Sequence, residues 1–303
     1  MIIGASLGSF KDLTLKSAMK FYLKLLKDFN IKAVELRFEK EEGRPSMWPW
    51  EKNNRLADFL SNFEVTGIHL PFIYLNPVSP NPRIKSESMN QLKLSLDQAS
   101  QLNMNYTLIH ARGFTYGLTY AQQLNEWERV LIELTDYAQS RSILLTVENG
   151  DFLGNLKELV GVVRRINSKW LKITLDVGHA YARRIRQTRQ NSRLFPYSLA
   201  GLVFKAVDRT YAPFLFKKYM PFEEYGSIRN FLQSEADLIF NLHLHDCNGR
   251  KDHITLGSGK IDFSFLPLLK KSNKPLILEV AFENHYEDFK KNYEKLNGLI
   301  EGG

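Results

Sequence analysis

The chain has 303 residues, 44% of them apolar and 24% charged, which is ample material for a large core. A single cysteine, Cys247, excludes an intrachain disulfide and a thiolate zinc cluster, so any metal would be held by nitrogen and oxygen. The formal net charge is +8; no apolar run is long enough to cross a bilayer, and Met1 to Ala5 reads as a strand rather than a leader, which predicts a cytoplasmic chain.

Eight short apolar runs, each bounded by turn or polar residues, read as strands buried on both faces: 2–6, 33–38, 65–70, 106–110, 144–148, 172–176, 239–245 and 275–280. Helix-like stretches lie between them at 13–29, 51–63, 86–102, 121–140, 155–166, in two or three pieces within 196–234, at 263–271 and at 284–300. Strand and helix alternating eight times predicts an α/β protein, a (β/α)8 TIM barrel, as one domain spanning 1–303. An open doubly wound sheet is the alternative, but Gly4 and Gly8 do not make a nucleotide-binding loop after the first strand.

The strand ends carry the chemistry. Of seven histidines, five fall at or just past an apolar run: His69, His110, His179, His243 and His245. Glu148, Asp176 and Glu279 sit the same way. In a barrel the strand ends converge on one mouth, so Glu148, Asp176, His243 and Glu279 would neighbour one another around the rim. Three carboxylates and an imidazole suit a divalent ion, Mn, Mg, Co or Zn. His69 and His110 would extend the site to a second ion through Glu148, and His179 and His253 would bind a further ion or substrate. Glu35 and Arg37 end the second strand, where either side chain can face the mouth. His245 and Asp246 are either partners of the ligands or part of a capped loop with an outward histidine. His285 reads as surface, and Trp48 and Trp50 as either loop packing or a wall over a sugar ring.

Charge concentrates between Arg183 and Asn230, where ten basic and three acidic residues contribute +7 of the +8, interleaved with aromatics such as Phe195, Tyr197 and Tyr211. The segment 183–234 reads as an inserted helical excursion between strands six and seven. Its aromatics would pack on the barrel or on a second copy in a homo-oligomer. Alternatively it is a lid for a phosphorylated sugar or a nucleic-acid backbone, and attachment to an anionic membrane is a third reading.

The stretches Gly67-Ile68-His69-Leu70-Pro71-Phe72, Val147-Glu148-Asn149-Gly150, Leu175-Asp176-Val177-Gly178-His179-Ala180, His243-Leu244-His245-Asp246, the run from His253 to Phe263 and Leu278-Glu279 together resemble the xylose-isomerase-like TIM-barrel superfamily. That group holds sugar and sugar-phosphate isomerases and epimerases as well as endonuclease-IV-like nucleases of abasic DNA. In the first branch the resemblance implies Glu148, Asp176, His243 and Glu279 as ligands of one ion. Glu148 and Glu279 would also exchange protons beside a carbonyl, and His179 and Arg250 would bind substrate. In the nuclease branch it implies three zinc ions, on His69, His110 and Glu148, on the same four residues, and on His179 with His253. That third site expects an aspartate where this chain has Lys251, and the glycine turn expects an acid where it has Ser258. The run from His243 to Arg250 and the turn from Gly257 to Phe263 are more similar to the isomerase and epimerase branch. A metal-dependent isomerase or epimerase of a sugar or sugar phosphate is therefore the expected function, with an abasic-site nuclease and a non-catalytic binding protein as the alternatives.

Overall fold

The computed structural model describes residues 1–6, 14–38, 54–111, 115, 117–181, 225–249 and 251–302. Eight strands, β1 (Ile3–Ser6), β2 (Ala33–Arg37), β3 (Val65–His69), β4 (Tyr106–His110), β5 (Leu144–Glu148), β6 (Leu171–Asp176), β7 (Ile239–Leu244) and β8 (Leu276–Leu278), form a closed barrel in sequence order. Every pairing is parallel, including β8 back to β1. The described helices are α1 (Leu15–Phe29), α2 (Asn54–Leu60), α3 (Pro82–Gln101), α4 (Tyr120–Ser140), α5 (Leu156–Ile166), α6 (Ile228–Ser234) and α7 (His285–Glu301). This is the expected (β/α)8 architecture.

The helix boundaries have local causes. α1, α4 and α5 begin at Thr14, Thr119 and Asn155, whose side-chain oxygens accept backbone N–H bonds of the first turn. At α4 the Gln122 side chain returns the favour to the Thr119 N–H, completing a capping box. Caps of this kind contribute about 1 kcal/mol each. α1 and α5 end on Asn30 and Asn167 in the left-handed region that asparagine tolerates. Apolar faces then pack on the barrel: Tyr22 of α1 is fully buried and donates its hydroxyl to the carbonyl of Ala5.

Three expectations needed correction. The stretch 263–271 is a short 3-10 turn, Leu266–Leu269, because Pro267 can occupy only the start of a helix and Ser272 to Pro275 lead at once into β8. The last strand is three residues long, so Glu279 stands just beyond it. His285, expected at the surface, is half-buried against the edge of Phe21. Of the basic excursion, only residues from 225 onward are described; Trp48, Trp50, Arg250 and 182–224 lie outside the described residues.

Strand periodicity positions the site. Side chains at every second position face the barrel interior, so residues 35 and 37, 67 and 69, 106 and 110, 146 and 148, 174 and 176, and 241 and 243 share one side. Register brings Arg37 beside His69, His110 beside Glu148, and Asp176 beside His243. Between β6 and β7 the register shifts at Ile173 and Thr174, and that irregularity sets Thr174 against Asn241. Past β7, the buried Asp246 carboxylate accepts from the N–H groups of Cys247, Gly259 and Ile261, tying the glycine turn down beside the mouth. Among the described residues no helix is long and apolar enough to cross a membrane.

Candidate metal centre

His243 is the hub of the mouth. Its Nδ1 lies 2.8 Å from Glu279 Oε2, 3.5 Å from Glu148 Oε2 and 4.0 Å from Asp176 Oδ2. The four residues of the expected ligand set therefore do meet around one ring nitrogen. On the other edge of the ring, His243 Nε2 is 3.0 Å from Glu35 Oε2. Glu35 is completely buried and also receives His69 Nε2 at 2.7 Å and the Tyr106 hydroxyl at 2.6 Å. The Tyr106 ring fits because Gly67 has no side chain: a Cβ there would sit 2.1 Å from the ring. Asn241 donates to Tyr106 at 3.2 Å, and the Thr174 hydroxyl meets Asn241 Oδ1 at 2.6 Å. A polar layer thus underlies the mouth where barrels of this kind usually pack branched aliphatic residues.

The remaining histidines split into two groups. His69 Nδ1 is 3.1 Å from His110 Nε2, which is 3.4 Å from Glu148 Oε2. For bond lengths near 2.05 Å, ligand atoms around a tetrahedral zinc stand about 3.3 Å apart, so these separations match a ligand set. On the opposite side, His179 Nδ1 is 2.9 Å from Glu148 Oε1 and 3.5 Å from Asp176 Oδ2. His245 is fully buried and not outward-facing. Its Nδ1 accepts the His253 N–H at 2.8 Å, which leaves the proton on Nε2, 3.0 Å from both Asp176 oxygens. Although His179, His245 and His253 lie close enough together to suggest a cation site, both nitrogens of His245 are committed to hydrogen bonds. It orients Asp176 instead. His253 donates from Nδ1 to the Glu279 carbonyl at 2.8 Å and keeps its Nε2 lone pair; its backbone is left-handed, at φ 53°. Lys251, which stands where the nuclease resemblance expects an aspartate, is exposed.

Electrostatics follow from burial set against opposite charge. Burial works to raise Glu35, Asp176 and Glu279, but the imidazoles around them win and hold all three carboxyls below the usual range. Burial does raise Glu148, since His179 and His243 offset it only in part. Burial pulls His243 and His179 down; the carboxylates outweigh it, so His243 rises well above the imidazole range and His179 is pushed up to about 10. His110 and His253 are lowered by burial, His253 to about 4.

These residues fit a divalent ion. Glu148 Oε2 and His243 Nδ1 are buried and make no hydrogen bond among the described residues, Nδ1 having only its ion-pair contacts with the surrounding carboxylates. Leaving a buried polar atom unsatisfied costs about 1–3 kcal/mol, a penalty that coordination would remove. Hard oxygens with imidazole nitrogens and no thiolate suit Mn, Mg, Co or Zn.

A sequence profile for the xylose isomerase-like TIM barrel matches residues 23–298. The chain belongs to the xylose isomerase-like TIM-barrel family. The uncharacterized protein MJ1311 of Methanocaldococcus jannaschii is 26% identical over 257 residues, covering 81% of this chain and 74% of the relative. L-ribulose-5-phosphate 3-epimerase UlaE of Salmonella heidelberg is 22% identical over 173 residues, 53% of this chain and 59% of the relative. The crystal structure of a D-tagatose 3-epimerase-like protein superposes with a TM-score of 0.70 at 22% identity, covering 99% of this chain and 97% of the other, a likeness of fold.

Two residues in the site of this family member escaped the sequence reading. Glu35 was only one of two acceptable mouth residues, yet it anchors two histidines; the usable signal was a carboxylate enclosed by Ala33, Val34 and Leu36 in a strand buried on both faces. Asn149 exchanges two hydrogen bonds with the backbone of Asp176, at 2.6 and 2.8 Å, and so clamps the end of β6.

Proposed function

We propose that the chain is a divalent-metal-dependent epimerase or isomerase of a sugar or sugar phosphate. The observation that carries this reading is the meeting of Glu148, Asp176 and Glu279 oxygens around His243 Nδ1 at the strand ends. The epimerases named among the relatives support the substrate class.

Glu148, Asp176, His243 and Glu279 would hold the ion, which when bound polarises the carbonyl and hydroxyl oxygens of the substrate. The two glutamates divide the proton work. In the metal-free chain burial raises Glu148 while His243 keeps Glu279 ionised, and carboxyls whose affinities are pushed apart suit an acid and a base. Glu279 would take a proton from the carbon beside the carbonyl and Glu148 would return one to the opposite face, inverting or moving the centre. His179, cationic at neutral pH, would donate to a substrate oxygen or phosphate, with Arg250 as its companion.

The test is turnover in deuterated water of a panel of free and phosphorylated ketoses, followed by NMR. Epimerised product with deuterium at the carbon beside the carbonyl is expected, and Glu279→Gln should abolish both. Turnover by the parent without deuterium would remove the two-glutamate route.

A second reading has its own observation: His69, His110 and Glu148 form a further compact group, as an abasic-site nuclease would need for an additional zinc. Elemental analysis separates the two, one ion per chain favouring the epimerase and three the nuclease.

A further inference from the structure

Glu35 lies in the middle of β2, fully buried, a position that in a strand covered on both faces ordinarily takes an aliphatic side chain. An ionised carboxylate can only accept hydrogen bonds, so each nitrogen facing it must carry the proton. His69 Nε2 meets Oε1 at 2.7 Å and His243 Nε2 meets Oε2 at 3.0 Å, which leaves Nδ1 of both rings for other work. Both Nδ1 atoms face the mouth: that of His69 is 3.1 Å from His110 Nε2, and that of His243 is 2.8 Å from Glu279 Oε2. The two rings stack at 5.5 Å with 29° between their planes, as two side chains pinned from one point below would.

We propose that Glu35 is a positioning residue: it fixes the tautomers of His69 and His243 so that both turn Nδ1 to the mouth, that of His243 toward bound divalent metal and that of His69 toward His110, and it stays outside the coordination shell itself. The inference rests on the metal reading above. One atom from each of Glu35, His69, His243 and Glu279 lies close enough to surround a cation, so Glu35 could be taken for a ligand. Three of its four acceptor sites are taken, two on Oε2 and one on Oε1. A cation on Oε2 would displace His243 Nε2 and strand the Tyr106 hydroxyl, which reaches Glu35 only through the space Gly67 leaves, and a cation on Oε1 would meet the proton that His69 Nε2 donates there. Glu35 also never touches the substrate in this arrangement, since the two imidazoles stand between it and the mouth.

Zinc, which is diamagnetic, is the probe. In zinc-loaded parent protein with 15N-labelled histidine, long-range proton–nitrogen NMR should show His69 and His243 both protonated at Nε2, with His243 metal-bound at Nδ1. In Glu35→Gln the amide has only one acceptor atom and offers N–H on the other side. One imidazole must then accept at Nε2 and move its proton to Nδ1, which in His243 is the nitrogen facing the ion. Zinc affinity by calorimetry should fall about 10- to 100-fold, with the NMR signature of one ring inverted. Coordination through Nε2 of His243 or a proton on Nδ1 of His69 in the parent, or unchanged zinc affinity in Glu35→Gln, overturns the proposal while leaving the metal reading intact. A parent that takes up no zinc overturns both. Should Glu35→Gln fail to fold, the parent spectrum decides alone.

Discussion

Gly67→Ala tests how tightly the polar layer under the mouth is built. The added methyl would lie 2.1 Å from Tyr106 Cζ, 2.2 Å from Cε1 and 2.6 Å from the hydroxyl. Ordinary carbon contacts are about 3.5–4.0 Å, so the ring has to retreat by roughly 1.5 Å. That movement forfeits the 2.6 Å bond to the Glu35 carboxylate. A hydrogen bond to a charged group is worth about 1.5–3 kcal/mol, and overpacking a dense core costs about 1–3 kcal/mol more. The expected destabilisation is therefore roughly 3–6 kcal/mol, a large part of the about 5–15 kcal/mol that holds a domain together. Urea unfolding of the metal-free protein followed by circular dichroism measures it. In a Tyr106→Val background the obstructing ring is gone, and the same glycine substitution should cost less than about 1 kcal/mol, the difference being the coupling between the two positions. A Gly67→Ala protein within about 0.5 kcal/mol of the parent would refute the reasoning, since surface-like tolerance has no place at such a contact.

His243→Ala should lose tight divalent binding in elemental analysis while its circular dichroism stays that of the parent; full metal content in the variant would remove the site. At Gly178 a Cβ would lie 1.9 Å from His245 Cε1, so Gly178→Ala should push His245 off Asp176 and weaken metal binding about tenfold, read by calorimetry. Burial pulls His243 down, but Glu35 and Glu279 hold it protonated at neutral pH. Metal uptake must expel that proton, and affinity should climb as pH rises; calorimetry in buffers of different ionisation enthalpy would show no proton release if this is wrong. Affinity for abasic duplex DNA should be weak, and metal-dependent cleavage of it at substoichiometric protein would establish the nuclease reading instead.

The barrel and most of its rim were legible because their signals are local. His69, His110, Glu148 and Asp176 each terminate a strand, and alternation alone places them on the inner side. Glu35 was less legible because its meaning depends on Tyr106 and His243, 71 and 208 residues away, and on an absent side chain at Gly67. His245 shares the face of His243 by simple alternation, but only the fold reveals that both its nitrogens are taken. The false helix at 263–271 came from an apolar spacing that also suits a tight turn, which Pro267 enforces.

The long reach of Glu35 also bears on how the chain folds. Its three donors come from β3, β4 and β7, and a barrel missing β7 would bury this carboxylate one partner short. Loop-closure entropy delays the contact across 208 residues until late, so the negative charge has to wait in a partly open barrel. Closing the ring at β7 and completing the pairing of this carboxylate are therefore one structural event. A group placed for the mouth thus also ties β2 to β3, β4 and β7 across the barrel.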